Sequence, residues 1–429
     1  HHANDGSETG FGPDGDSPVI SCGSYTGNGS ASGPSINLGF QPQFLMIKRA
    51  SGTNGWNVFD TMRGWTNNAG YVDKLIAWNT SDQEGTGYYW HNPTSTGFDI
   101  AASNDNVNAN GDTYIYLAVR RGSLFPPEDA TKVFAVAART GASGNQGAYR
   151  SGFPVDMAFH KVVTSSANPY EIGSRLTQGR SMNTTDNSAE VTQSDQQYDF
   201  MDGWNNETSS SSTKYAWMWK RAPSYFDVVA YTGNITSGHT INHNLGVVPE
   251  MMWVKRRTST DAWKVYHSTL GNTKYLHLNE TIAAATDSSI WNDTSPTASI
   301  FTLGDSNDVN GNGESYIAYL FASSDVSKVG SYTGNGASDR VIDCGFSNGA
   351  RFVLIKDVDT SGTNWQVFDT TRGLTSTKAE LLRLNLTNAQ IPNGSPTQDY
   401  HNLIEPDSSG FKLNNTSALQ VNASGVNYI

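Results

Sequence analysis

The block Tyr25-Thr26-Gly27-Asn28 returns as Tyr231-Thr232-Gly233-Asn234 and again as Tyr332-Thr333-Gly334-Asn335, and no other feature constrains the fold as tightly. Each block is followed by a short apolar strand ending in lysine: Phe44-Leu45-Met46-Ile47-Lys48, Met251-Met252-Trp253-Val254-Lys255 and Phe352-Val353-Leu354-Ile355-Lys356. A Trp-centred alternation comes next, with Trp56, Trp263 and Trp365 standing 31, 32 and 33 residues after the tyrosines. Copies close on an Asn/Gly tip and a Tyr-led strand, as in Asn108-Ala109-Asn110-Gly111 before Tyr114 and Asn310-Gly311-Asn312-Gly313 before Tyr316. Blocks in fixed order at a fixed period mark a tandem array whose units stack on their neighbours.

Residues 123–223 span one further period. Phe153 to Lys161 follows the pattern of Phe40 to Lys48, and Tyr215-Ala216-Trp217-Met218-Trp219 follows the Tyr-led strand. The Tyr-Thr-Gly-Asn block and the Trp-centred strand are missing there, so this reads as a divergent second copy. The expected organisation is an N-terminal segment 1–23 and repeats 24–122, 133–223, 224–324 and 325–429, the last truncated in its final strand. The fourth copy reaches Asn427-Tyr428-Ile429 where the first runs on from Tyr114 to Val119. With His1 in place of methionine, this leads us to expect a segment of a longer chain.

Within each unit the apolar positions alternate with period two, as at Trp56, Val58 and at Tyr114, Tyr116, which is strand and not helix periodicity. Turn residues such as Asn54-Gly55 and Asn393-Gly394 punctuate the strands at sandwich-like spacing. The fold expected is all-β, a tandem array of four β-sandwich or jelly-roll-like domains of about 100 residues. The stretch 377–386 is the only helix-like one, and it is read as strand. Globules of this size are roughly 35 Å across, and four in line would make a rod of roughly 130–140 Å.

Composition narrows the function. The formal net charge is −12, with only 28 Lys and Arg. That argues against a nucleic-acid binder, which needs a basic face. No apolar run approaches the ~18 residues of a membrane helix, so membrane insertion is not expected. Two cysteines, Cys22 and Cys344, make no disulfide framework, and Cys344 reads as a buried free thiol packing as a small hydrophobe.

Chemistry is thinly represented. Asp60 with Arg63, and Asp369 with Arg372, read as turn-closing pairs in preference to acid–base pairs. Asp308-Val309-Asn310-Gly311-Asn312-Gly313 opens like a calcium loop, but Tyr319 stands where the bidentate glutamate belongs, so a hairpin tip is the reading. No metal-spaced His/Cys cluster, phosphate loop or nucleophile elbow is present, and neither catalytic residues nor a cofactor are expected. Asn-x-Ser/Thr triplets, for example at Asn79, Asn183, Asn206, Asn279 and Asn415, are those such a composition produces by chance. The aromatics outside the repeated positions are the remaining pointer. Trp65, Tyr88, Tyr89, Trp90 and Trp204 lie among Asn, Ser and Gly. They read as candidate glycan contacts, since sugar rings stack on aromatics while amides bond the hydroxyls. Packing inside or between domains is the competing reading.

Tyr-Thr-Gly-Asn-Gly, then Gly39 to Lys48, then Trp56 to Gly64 resemble a tandem domain of tailed-phage virion proteins. The sequence is similar to repeats of marine and cyanobacterial phage tail-fibre and appendage proteins. Ser409-Gly410-Phe411 and Val421 to Gly425 before Tyr428 extend the likeness. It covers copies one, three and four well and copy two loosely. The resemblance implies an extracellular virion appendage with host contact and carries over no catalytic residues, so the expected role is structural or adhesive and not enzymatic, with host-surface glycan as the target. A homo-oligomer alongside other virion proteins is expected because fibre proteins bury sheet edges between copies. Two rival readings are a glycan depolymerase using Glu171, Asp199 and Asp202, and a cellular adhesin or filament subunit.

Overall fold

The computed structural model describes residues 17–67, 73–139, 148–193, 195–206, 212–376, 379–391, 403–414 and 421–429. The turn at Asn393-Gly394, the triplet at Asn415 and most of the serine run 209–212 lie outside them. The described residues are almost all strand, with two one-turn α-helices, Ser288–Trp291 and Asn307–Asn310, and two short 3-10 turns. The chain is all-β, as the period-two patterning implies.

The strands of the first repeat are β1 (Ile20–Thr26), β2 (Ser35–Asn37), β3 (Pro42–Arg49), β4 (Trp56–Asp60), β5 (Asp73–Ala77), β6 (Gly85–Tyr88), β7 (His91–Thr94), β8 (Gly97–Ile100) and β9 (Thr113–Arg120). They form an antiparallel sheet in the order β1-β9-β3-β4-β5-β6 and a smaller one, β2-β8-β7. Leu45, Ile47, Phe59, Tyr114 and Ala118 of the large sheet meet Phe98 and Ile100 of the small one in a closed core. The same six-strand order recurs in a second set (Phe134–Arg139, Lys214–Trp219, Met157–Val162, Glu171–Ser174, Arg180–Asn183, Val191–Thr192) and in a third that begins at Phe226–Thr232. In the fourth set Tyr332–Thr333 pairs with Asn427–Tyr428, and Phe352–Ile355 pairs with Gln366–Asp369.

The repeated block is a lock between the first and last strands of a set. Tyr25, Tyr231 and Tyr332 stack on Tyr114, Tyr316 and Tyr428 with ring centroids 5.1 Å apart in all three. Their hydroxyls donate to the carbonyls of Val107, Val309 and Val421 at 2.7, 2.8 and 2.7 Å. A buried asparagine (Asn108, Asn310 or Asn422) accepts the backbone N–H of Asn28, Asn234 or Asn335 through Oδ1 at 2.8 to 3.1 Å. The glycine is obligatory because a Cβ on Gly27, Gly233 or Gly334 would sit 2.1 to 2.3 Å from a backbone carbonyl oxygen. The calcium-like segment is therefore a one-turn helix, Asn307–Asn310, that delivers Asn310 to this lock, and not a hairpin tip.

The second set keeps the Trp-centred strand in altered form. Tyr170 precedes Glu171–Ser174 and accepts the N–H of Thr184 through its carbonyl. Trp56, Trp263 and Trp365 accept from Trp78, Leu278 and Leu384 in the same way. Tyr170 thus stands where the other copies carry tryptophan.

The second, third and fourth sets do not string into a rod. Each six-stranded or equivalent sheet has a second apolar face, and the three faces share one interior. Phe159, Trp217 and Trp219 meet Trp253, Trp263 and Tyr319 of the third set and Trp365, Val367 and Leu384 of the fourth. Closure is cyclic. Glu190 N–H donates to the Arg257 carbonyl at 2.8 Å, Ala284 N–H to Val358 at 2.9 Å, and Gln390 N–H to Val163 at 2.8 Å. Every donor lies seven residues after the end position of a fifth strand, and every acceptor two residues after the motif lysine. Set two thus bonds to three, three to four, and four back to two. Burial of a sheet on both faces explains the near-continuous apolar runs at 215–219 and 317–321, which a one-faced sheet would alternate with polar residues.

Candidate functional site

Register fixes which residues of the first set correspond to that shared interior. Met46 pairs with Leu117 as Phe159 pairs with Trp217 and Trp253 with Tyr319. Val58 pairs with Ile76 as Val265 pairs with Leu276. The face equivalent to the one buried three times over therefore carries Cys22, Phe44, Met46, Ile76, Trp78, Ile115 and Leu117. It is exposed. Trp78 is 61% and Ile115 39% accessible, whereas Leu278, Leu384 and Ile317 at the matching positions are fully buried. Cys22 is exposed where Val228 is buried. The first set thus leaves partly open to water an apolar sheet face whose counterparts in the other three sets are covered.

The first set is held to the rest at a buried charged junction. Asp156 pairs with Arg121, lies 3.4 Å from Arg175 Nε, and accepts the backbone N–H of Arg221 at 2.7 Å. Arg221 in turn donates to Gln41 of the first set and pairs with Asp227, which also accepts the N–H of Asn244 at 2.7 Å. Burial alone would raise the Asp156 carboxyl, but Arg121, Arg175 and Arg221 hold it below its ordinary value. Charges this deep persist where each is paired with an opposite charge, as Asp156 is with Arg121 and Asp227 is with Arg221. Asn67 and Met62 add contacts to Leu176 and Arg175.

The residues singled out as glycan contacts separate. Trp65 and Trp204 are fully buried. Trp65 donates Nε1 to the His91 carbonyl at 3.2 Å, and Trp204 stacks on Tyr149 at 5.3 Å, so neither ring has a face to offer a sugar. Tyr88, Tyr89 and Trp90 are half-buried and adjacent. Tyr88 meets Trp90 edge-on at 4.9 Å, and the Tyr89 hydroxyl accepts from Asn92 at 3.0 Å.

The acids considered for hydrolysis are engaged separately: Glu171 near His160 at 3.8 Å, Asp199 with Gln178, and Asp202 with Arg150. Asp60 and Asp369 close turns as expected, accepting the N–H of Arg63 and Arg372 at 2.8 and 2.9 Å. Asp369 also accepts from Trp217 Nε1 of the second set at 3.1 Å. Asn79 and Asn279 use their side-chain oxygens to accept the N–H of Trp56 and Trp263, both at 2.9 Å, which gives those triplets a structural use. Cys344 is half-buried against the fourth core. Among the described residues no group of His, Cys, Asp and Glu could hold a metal ion. A cavity of about 550 Å³ opens into the shared interior, lined by Phe134, Trp219, Trp253, Phe321 and Phe352.

These features define an all-β protein of paired antiparallel sheets, three sets of which close on a common core while a fourth presents its matching face to solvent. The chain belongs to the family described as "Domain of unknown function (DUF7483)", whose profile matches residues 19–121 and 129–429. The gap between the two matched stretches falls in the link between the first set and the closed three. No curated protein and no solved structure matches the chain.

Proposed function

We propose that this chain is a structural component of a phage virion appendage, a tail fibre or similar, placed outside the cell and used for attachment to a host-surface glycan. The observation that carries the reading is the division of labour between sheet faces. Three sets spend theirs on a common interior, and the first keeps an equivalent face available for assembly. Such a chain is built for stacking and holding position. The tail-fibre-like repeat blocks support the same reading, and the adjacent, half-buried Tyr88, Tyr89 and Trp90 are the candidate sugar contacts. The separate partners of Glu171, Asp199 and Asp202 favour a scaffold over a depolymerase. Mass spectrometry of purified virions whose genome encodes this chain should find it in intact particles at a fixed ratio to capsid protein. Its recovery only from host-cell envelopes would overturn the proposal in favour of a cellular adhesin.

A further inference from the structure

The apolar face of the first set has a natural complement, because the chain shows three times what covers such a face. In each instance the cover is the same face of two sister sets. The contacts that close the ring are sequence-local and transfer by register. The carbonyls of Asn183 and His277, which accept from Trp263 and Trp365, correspond to Ala77 in the first set. The backbone donors Glu190, Ala284 and Gln390 correspond to Glu84, and the acceptors Arg257, Val358 and Val163 correspond to Ala50. The motif lysine reaches across as well: Lys161 Nζ donates to the Thr387 carbonyl at 2.8 Å, a position matched by Ser81. Ala50 and Ser81 are exposed, Trp56 and Glu84 half-buried.

We infer that three chains associate through this face, their first sets closing on one another as the second, third and fourth sets do within a chain. In that trimer Trp56 Nε1 and Lys48 Nζ of one copy donate to the Ala77 and Ser81 carbonyls of the next, whose Glu84 N–H donates back to the Ala50 carbonyl of the first. Cys22, Met46, Leu117, Ile115 and Trp78 form the common interior, taking the places of Val228, Trp253, Tyr319, Ile317 and Leu278. The number is three because the same bonds, repeated around an axis, close after three sets here. The inference stands apart from the virion reading, since a cellular filament subunit would use the face in the same way.

Sedimentation equilibrium of the intact chain tests it. The expected mass is three times the 46.4 kDa of one chain. The double variant Trp78→Glu, Ile115→Lys should fall threefold to the monomer mass with its circular dichroism unchanged, as both side chains are exposed in the single chain. A monomeric or dimeric wild type, or a trimer that survives both substitutions, overturns the inference. Should the double variant misfold, thiol labelling of the Cys344→Ala chain, whose apolar face is unaltered, decides alone. Cys22 protected in the native assembly and reactive after dissociation supports it, and Cys22 freely reactive in a trimer overturns it.

Discussion

The indole Nε1 of Trp365 donates to the carbonyl of His277 at 2.9 Å, and Trp263 makes the same bond to Asn183, at 2.7 Å, one set earlier in the chain. A tryptophan that looks like an ordinary strand residue in sequence is thus the clamp between successive sets. Both rings are buried, and both acceptors hold equivalent register positions at the end of a fifth strand.

Replacing Trp365 with Phe keeps an aromatic ring but removes the donor, stranding a buried carbonyl. The cost should be about 1–3 kcal/mol in urea unfolding. Trp365→Ala adds the cavity and should cost about 3–5 kcal/mol. Equal, negligible effects of the two substitutions would show that the clamp does not contribute to stability.

The glycine of the repeated block should be irreplaceable. A Cβ at Gly233 would lie 2.3 Å from the Gly311 carbonyl oxygen, so backbone and not a flexible side chain must yield. Gly233→Ala is expected to destabilise by about 1–3 kcal/mol, measured as a lowered denaturant midpoint. A midpoint equal to that of the unaltered chain would contradict the lock described above.

Much of this was legible in the sequence. The Tyr-Thr-Gly-Asn blocks, the lysine-ended strands and the Tyr-led strands all mark elements that pair within a set, although the Tyr-led strand, last of the three in the chain, sits between the other two in the sheet. Tyr170 is not legible as the counterpart of Trp56, Trp263 and Trp365 because the aromatic ring there is of a different type. Its place nine residues after Lys161, like Trp365 after Lys356, was the available signal. The closed ring was hidden for a different reason. Outer-face residues such as Phe159, Leu276 and Val367 are plain apolar positions, and their partners lie far along the chain. The runs of consecutive apolar residues at 215–219 and 317–321 were the clue to burial on both faces. Among the aromatics, Trp65 and Trp204 cannot be told from exposed rings by their polar neighbours, since turn residues flank core and surface tryptophans alike.

The charged junction makes a pH-dependent prediction. The Asp156 carboxyl is held below its ordinary value in the fold, so its contribution is fully present above the unfolded carboxylate value of about 3.9 and is lost as pH falls through the lower, folded value. Asp156→Asn leaves the buried guanidiniums of Arg121 and Arg175 without their shared anion and should cost about 3–5 kcal/mol at neutral pH. In that variant the acid-dependent part of the loss, followed by thermal melts below pH 4, should be largely gone. An unchanged acid profile would place the titrating group elsewhere.

For the candidate sugar contacts, Trp90→Ala should weaken adsorption to host cells while lowering the melting temperature only modestly, because the ring is half-buried. Trp204→Ala should do the reverse, with a cavity cost of about 3–5 kcal/mol and unaltered adsorption of whatever folds. Unchanged adsorption with Trp90→Ala would remove these contacts from consideration.

The central claim is that sets two, three and four close into a ring, and the distance between the second and fourth sets tests it most directly. Ala389 N–H donates to Ser166 Oγ at 3.1 Å across that closure. Spin labels placed at Ser166 and Asn388 of the intact chain, with both native cysteines replaced, should give a short, narrow distance distribution by pulsed electron resonance. Globules in line would hold next-but-one neighbours roughly 70 Å apart. A distribution centred near that separation would contradict the closed arrangement.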